Sequence, residues 1–270
     1  VKNRPLSNGF STGGSQSLIA SVLKNTFDTT TRFSVQNVTS TSASVVIDFY
    51  NTSAVKVHTM NQTIQGGSAY FVDAGTISQL GTSFNGSAVV TATGGDVVST
   101  ALELELSGVG AKAFEGVAAG STKFYMPSAL CQAFGANTAY AVQNTSLSAS
   151  TNVTVNYSNG TSETKSIGPG AKQSFIACNA SGMPTGFSGA AVIESSATPV
   201  IAVGKAYGSG LATAFVGASS GARYLALPYV RWATNADFAA GLGQRTFITI
   251  QNIGSSSLAA GTVKVDYIDK

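Results

Sequence analysis

The sequence predicts an all-β chain built as tandem antiparallel β-sandwiches of about seven strands each, and three observations carry that reading. One frame is written three times: Phe33-Ser-Val-Gln-Asn37-Val-Thr39, Tyr140-Ala-Val-Gln-Asn144-Thr-Ser146 and Phe247-Ile-Thr-Ile-Gln-Asn252-Ile-Gly254. Gln36 to Gln143 is 107 residues and Gln143 to Gln251 is 108, and a fixed period sets the whole architecture. Each frame alternates in hydrophobicity and closes on Gln-Asn, as a half-buried strand does when it runs into a turn. Composition agrees. Charged residues are 10% and hydrophobic residues 43%, with 30 glycines and 64 Ser plus Thr among 270 residues. Low charge signals disorder only where hydrophobic residues are also scarce. Val, Thr, Ile, Tyr and Phe cut by Gly, Asn and Ser describe short strands joined by turns.

Taken in order, residues 1–19 read as the last strand of a preceding repeat. Gly9 to Ala20 aligns without a gap to Gly116 to Pro127, and a glycine again precedes a proline by 11 at Gly217 to Pro228. Leu18-Ile-Ala20, Tyr125-Met-Pro127 and Ala226-Leu-Pro228 then read as linkers, since proline fixes φ and donates no hydrogen bond. The first complete repeat spans 20–126, with strands expected at 31–38, 43–50, 54–64, 67–73, 86–92, 97–106 and 111–118. Ser44 to Tyr50 is mostly apolar, as in a central strand buried on both sides. Ala101-Leu-Glu-Leu-Glu-Leu106 alternates strictly, which predicts leucines inward and glutamates outward. Gly66-Gly67 and Gly94-Gly95 mark turns. Seven short strands in about a hundred residues is a sandwich pattern.

The second complete repeat spans 127–227. Val153 to Tyr157 matches Val45 to Phe49, Phe187 to Ile193 matches Phe84 to Val90, and Ala214 to Gly217 matches Ala113 to Gly116. Residues 228–270 carry the first two strands of a third repeat, ending at Val263 to Tyr267. Its linker is longer by a loop running from Arg231 to Phe238 that holds the only tryptophan, Trp232. The Gln-Asn strand, the Gly-Ser-Ala-Val-Val strand, the Phe-x-Gly strand and the Leu-Pro linker together resemble tandem immunoglobulin-like repeats of prokaryotic cell-surface, sheath and filament proteins. The resemblance covers nearly the whole chain. It implies a structural or adhesive extracellular role, with no catalytic residue to carry over.

A search for reactive groups finds little. The single histidine, His58, lies in the alternating segment Val55-Lys-Val-His-Thr and reads as a solvent-facing or hydrogen-bonded strand residue; triad chemistry needs an acid and a nucleophile gathered around it. Gly168-Pro-Gly-Ala-Lys-Gln-Ser174 lacks phosphate-loop spacing and a following helix, and reads as a hairpin turn. Gly186 to Ala190 falls one residue short of a nucleophile elbow. The 12 acidic residues are scattered, and the Cys and His count cannot make a zinc site. No catalytic residue, cofactor or metal ligand is therefore expected. The net charge of +3 is spread thinly and no basic run exists, so nucleic acid is not an expected partner. No stretch approaches the roughly 20 apolar residues of a membrane helix.

Two further features bear on compartment and surface. Cys131 and Cys178 both lie in the second repeat, which permits one disulfide; two buried free thiols are the other reading. Nine of 15 asparagines begin Asn-x-Ser/Thr: Asn37, Asn51, Asn61, Asn85, Asn144, Asn152, Asn156, Asn159 and Asn179. Roughly three or four would follow from Ser and Thr content alone. N-glycosylation on exposed turns accounts for the excess, and so does the placing of Asn in turns beside Ser- and Thr-rich strands. The leading expectation is a non-enzymatic structural subunit or segment of an extracellular filament, sheath or surface layer. It would associate with itself or with neighbouring repeats, including by β-strand addition at unpaired edges. An adhesin or glycan-binding stalk is the alternative, with Arg231, Trp232 and Phe238 as the contact loop; Trp232 in an inter-domain joint is the reading without a ligand.

Overall fold

The computed structural model describes residues 5–108, 110–208, 210–227, 229–232 and 246–268. The chain forms two compact units, Val1–Ser220 and Gly221–Lys270. Among the described residues the first is all-β, with sixteen strands in four antiparallel sheets of four.

Eight strands build the first sandwich: β1 (Gln16–Lys24), β2 (Thr29–Asn37), β3 (Ala43–Asn51), β4 (Lys56–Ile64), β5 (Ala69–Asp73), β6 (Phe84–Thr93), β7 (Val97–Glu105) and β8 (Ala111–Glu115). They pair as β1-β6-β3-β4 and β5-β2-β7-β8. The second sandwich repeats the plan with β9 (Lys123–Cys131), β10 (Asn137–Asn144), β11 (Thr151–Tyr157), β12 (Ser162–Ile167), β13 (Lys172–Ile176), β14 (Phe187–Ser195), β15 (Val200–Gly208) and β16 (Leu211–Val216). Its sheets are β9-β14-β11-β12 and β13-β10-β15-β16. Strands β2 to β8 lie close to the seven expected from the sequence.

The eighth strand is the main correction to the boundaries. Leu18 to Ser21 and Tyr125 to Ser128, expected as linkers, lie inside β1 and β9. Both strands carry a bulge there. Ala20 and Ser21 together oppose Ser87, and Pro127 and Ser128 together oppose Ala190. A bulge leaves one residue outside the ladder, so a proline that lacks an N–H is tolerated at that position. Pro228 lies outside the described residues. Residues 5–13 contain no strand; the first ladder contact is Gly14 with Val97.

Three local expectations also change. Ser44 to Tyr50 is central in its sheet but buried on one face only, through Val45, Ile47 and Phe49. The other face of an antiparallel sheet is free to meet solvent. In β7 the register is the reverse of the expected one: Ala101 and Glu103 point inward, and Leu102 and Leu104 lie on the outer face. The loops after β4 and β12, expected as hairpin turns, instead cross from one sheet to the other.

The Phe-x-Gly motif has a packing cause. A Cβ on Gly86 would stand 2.3 Å from the Phe84 ring, and one on Gly189 would stand 2.7 Å from the Phe187 ring. Each phenylalanine lies over the bare backbone two residues on, where side chains of one strand share a face.

In the second unit, no strand forms among the described residues, so the expected strands at 247–252 and 263–267 are not observed. The β10 ladder is made with β13 and β15.

Candidate functional site

The two sandwiches are joined within one unit, and burial shows which faces do it. From Ser17 onward every residue of β1 is buried, whereas its counterpart β9 alternates between buried and half-buried. Strand β8 is buried through Phe114, while β16 is half-buried or exposed throughout. The opposite holds on the other sheet. Arg32 and Gln36 on the outer face of β2 are exposed, but Ala141 and Gln143 on the same face of β10 are buried. The outer face of the second sandwich thus closes the open side of the first, between β1 and β8. Ala141, Ile201 and Val203 belong to the first sandwich's apolar core, with Ala214 and Val216 packed against it.

An ionic cluster lies in this junction. Lys205 on β15 places its Nζ 2.6 Å from Glu103 Oε1 and donates to Ser21 Oγ at 2.7 Å. Ser21 Oγ in turn donates to the same Glu103 oxygen at 2.7 Å. Glu103 is 1% exposed. Burial pushes its pKa up, but the Lys205 charge, the hydrogen bonds from Lys205 and Ser21, and the Lys112 charge outweigh it and hold Glu103 below the usual range. Lys172 on β13, also 1% exposed, donates to Ser174 Oγ at 3.2 Å. Its pKa is pulled down to about 7, chiefly by burial and then by the Lys205 charge, against an opposing pull from Glu103.

Around the cluster the contact is hydrogen-bonded through backbone carbonyls. Gln143 Nε2 donates to Ala88 O at 3.3 Å and Gly170 O at 3.1 Å, Ser87 Oγ donates to Gly170 O at 2.8 Å, and Gln173 Nε2 donates to Thr52 O at 3.1 Å. The Gln143–Ala88, Ser87–Gly170 and Gln173–Thr52 bonds, with the ion pair, lock one register between the sandwiches, and Gln143 is itself held by Gly170 of its own sandwich. Glu103 and Lys205 neutralise one another at the junction, while Lys172 is held there without a carboxylate of its own.

The Asn of each Gln-Asn pair serves the fold. Asn37 Nδ2 donates to Thr41 O and Ile64 O, and its Oδ1 accepts from Thr39 N. Asn144 donates to Ala149 O, Ile167 O and Gly168 O and accepts from Ser146 N. Asn252 forms the same local turn, with Ser256 O and Gly254 N. Glycosylation at Asn37 and Asn144 is therefore corrected: both are fully buried, and their amide nitrogens are engaged. Asn51, Asn85 and Asn156 are half-buried, while Asn61, Asn152, Asn159 and Asn179 are exposed.

Cys131 and Cys178 form a disulfide across 47 residues, tying the end of β9 to the 3-10 turn Ala177–Asn179. His58 stacks on Phe49 with ring centroids 5.8 Å apart. Trp232 is 76% exposed, and the Arg231 guanidinium lies 6.0 Å from the Tyr229 ring centroid. Phe238 lies outside the described residues. Among the described residues, no group of three or more His, Cys, Asp or Glu could hold a metal ion, and no helix is long and apolar enough to cross a membrane.

Glu103, Lys172 and Lys205 were not singled out from the sequence. A signal for them exists in the broken symmetry between copies, since the counterparts of Lys172 and Lys205 are Ala69 and Leu102, and that of Glu103 is Ala206.

No family model matches the sequence, and no curated protein matches it. Among solved structures, the Anabaena sensory rhodopsin transducer aligns at 18% identity over 34% of this chain and 97% of its own, with a TM-score of 0.27. At that score the likeness carries no argument.

Proposed function

We propose that this chain is a non-enzymatic structural building block of an extracellular filament, sheath or surface layer. The observation that carries the reading is the junction itself: one strand plan built twice, with the outer sheet face of one copy closing the open side of the other. Modules stacked through a fixed, buried contact make a stiff array in which each repeat meets its neighbours. The Cys131–Cys178 bond supports an oxidising compartment, and exposed Asn61, Asn152, Asn159 and Asn179 are the asparagines open to glycans. Electron microscopy of native material tests the reading. Filaments, sheets or ordered lattices are the expected result; particles dispersed at every concentration overturn it.

A second reading, an adhesive or glycan-binding stalk, is favoured by the 76% exposure of Trp232 beside Tyr229 and Arg231. An exposed indole offers a flat face for a sugar ring. Binding on a glycan array that disappears in Trp232→Ala would support it; an array without binding would remove it.

A further inference from the structure

One sheet edge is built in both sandwiches and finished in two ways. Strand β4 ends the order β1-β6-β3-β4 and β12 ends β9-β14-β11-β12, and among the described residues each has a ladder on one side only. With sandwich two in place, Asn61 and Thr63 of β4 are exposed; with sandwich one in place, Ser162, Thr164 and Ser166 of β12 are exposed. A following copy is therefore present for one edge and a preceding copy for the other, and neither covers it.

The inward residues of the two edges do not correspond. Val45 pairs with Gln62 and Ile47 with Met60, while Val153 pairs with Lys165 and Val155 with Glu163. Where β12 has a carboxylate and an ammonium, β4 has a thioether and an amide. Lys165 Nζ lies 2.7 Å from Glu163 Oε1, donates to Ser174 O at 2.6 Å and stands 4.9 Å from the Phe175 ring centroid. An inward-pointing ion pair at a sheet margin opposes strand addition, because an added strand would strip water from both charges. Strand β4 has no such pair. From His58 to Ile64 it carries no Lys, Arg, Asp, Glu or Pro, and past the bulge at Val57 its ladder is regular. Met60 packs partly buried against the core, and a thioether adapts to a new neighbour at little cost. One copy of the edge is closed to further strands, and the other is open.

We infer that the open edge of β4 pairs antiparallel with β4 of a second copy of this chain, so that two four-stranded sheets become one of eight. The edge itself selects that occupant. Its outward N–H and C=O groups need an equal row facing back, and β12, its counterpart, is closed to them. Laid antiparallel on itself, β4 opposes no like charges: with the two-fold axis at Met60, Lys56 of each strand faces Ile64 of the other. Asn61 alternates with inward Met60 and stands off the outer sheet face, perpendicular to the ladder, so a glycan there leaves the edge groups clear. Such a contact is isologous and closes as a dimer. It goes beyond the polymer reading and does not require it; within an array it would tie two arrays side by side.

Sedimentation velocity and amide hydrogen exchange on the full chain, across a concentration series, test the contact. The wild-type chain is expected to form dimers, and the β4 amides that have no partner in β3 are expected to gain protection as dimers form. Met60→Glu/Gln62→Lys, which writes sandwich two's own edge pair into sandwich one, is expected to melt as the wild type and to raise the dimer dissociation constant about tenfold or more. The exchange measurement on the wild type does not depend on that variant folding. A chain that stays monomeric throughout, dimers whose β4 amides exchange as in the monomer, or a folded variant that dimerises as the wild type overturns the inference. Native filaments whose β4 amides remain unprotected would leave the polymer reading standing and remove only this contact.

Discussion

The two sandwiches share one plan and differ where one of them has a neighbour. β1 is buried on both faces and β9 on one; the outer face of β2 is open and that of β10 is closed. They also tie the same corner differently. The last residue of β9 is Cys131, bonded to Cys178, while the last residue of β1 is Lys24, whose Nζ donates to Ile77 O at 2.7 Å. The lesson is that an internal repeat separates two kinds of residue. Those that recur, such as Asn37 and Asn144 or Phe84 and Phe187, answer to the fold of a single sandwich. Those that do not, such as Glu103, Lys172 and Lys205, answer to what packs against it.

That separation can be broken most directly at the ion pair. Glu103→Ala is expected to cost about 3–5 kcal/mol in urea unfolding, since it leaves Lys205 without its acid inside the junction. The double variant Glu103→Ala/Lys205→Leu, which replaces both members of the pair by the kind of residue their counterparts carry, is expected to recover most of that loss. If the double variant is as unstable as the single one, the cluster is not an exchangeable lock.

The disulfide comes next. Cys131→Ser/Cys178→Ser is expected to lose about 2–4 kcal/mol, the loop-closure contribution of a bridge of this span. The loss should fall on the second sandwich, because hydrogen exchange in β2 and β7 reports a body tied by Lys24 instead. Equal loss of protection in both sandwiches would mean that the junction couples their unfolding.

The Gln-Asn turns give a smaller and graded effect. Asn144→Ala removes an Nδ2 group shared among the Ala149, Ile167 and Gly168 carbonyls and is expected to cost about 1–3 kcal/mol, whereas Asn252→Ala, in an exposed turn, should stay within about 0.5 kcal/mol. Thermal melts of the two variants check this, and equal effects would contradict the burial argument.

A different kind of effect is a slope with pH. The folded value of Lys172 is about 7, below its ordinary one. Between about 7 and the ordinary lysine range, the unfolded chain holds a proton that the folded chain lacks, so stability rises with pH there, by up to about 1.4 kcal/mol per pH unit. Below 7 both states are protonated and the contribution is flat. Lys172→Met should abolish the slope in urea melts at several pH values; a slope that persists unchanged assigns it to another group.

Much of the fold was legible because its signals are local. Asn37, Asn144 and Asn252 all bond a backbone N–H two residues ahead and a carbonyl four or five ahead. Asn252 does so without any ladder around it, so this turn belongs to the tetrapeptide and not to the sandwich. The same locality hid its meaning: Asn-x-Thr reads as a glycan acceptor until burial is known. Leu102 to Leu106 failed for the opposite reason. Alternation says that two faces differ but not which is inside, and hydrophobicity alone points the leucine face inward. Glu103 turns inward because Ser21 and Lys205, 82 and 102 residues away in sequence, meet it there.

Strand identity, turn position and repeat length are carried by neighbours along the chain, through side-chain alternation, Asx turns and aromatic-over-glycine pairs, and so were readable without coordinates. The strand called a linker, the direction of β7 and the buried Glu103–Lys205 pair depend on which surface of one copy covers which surface of the next. That choice is made by burial and desolvation between residues far apart in sequence, and packing alone settles it.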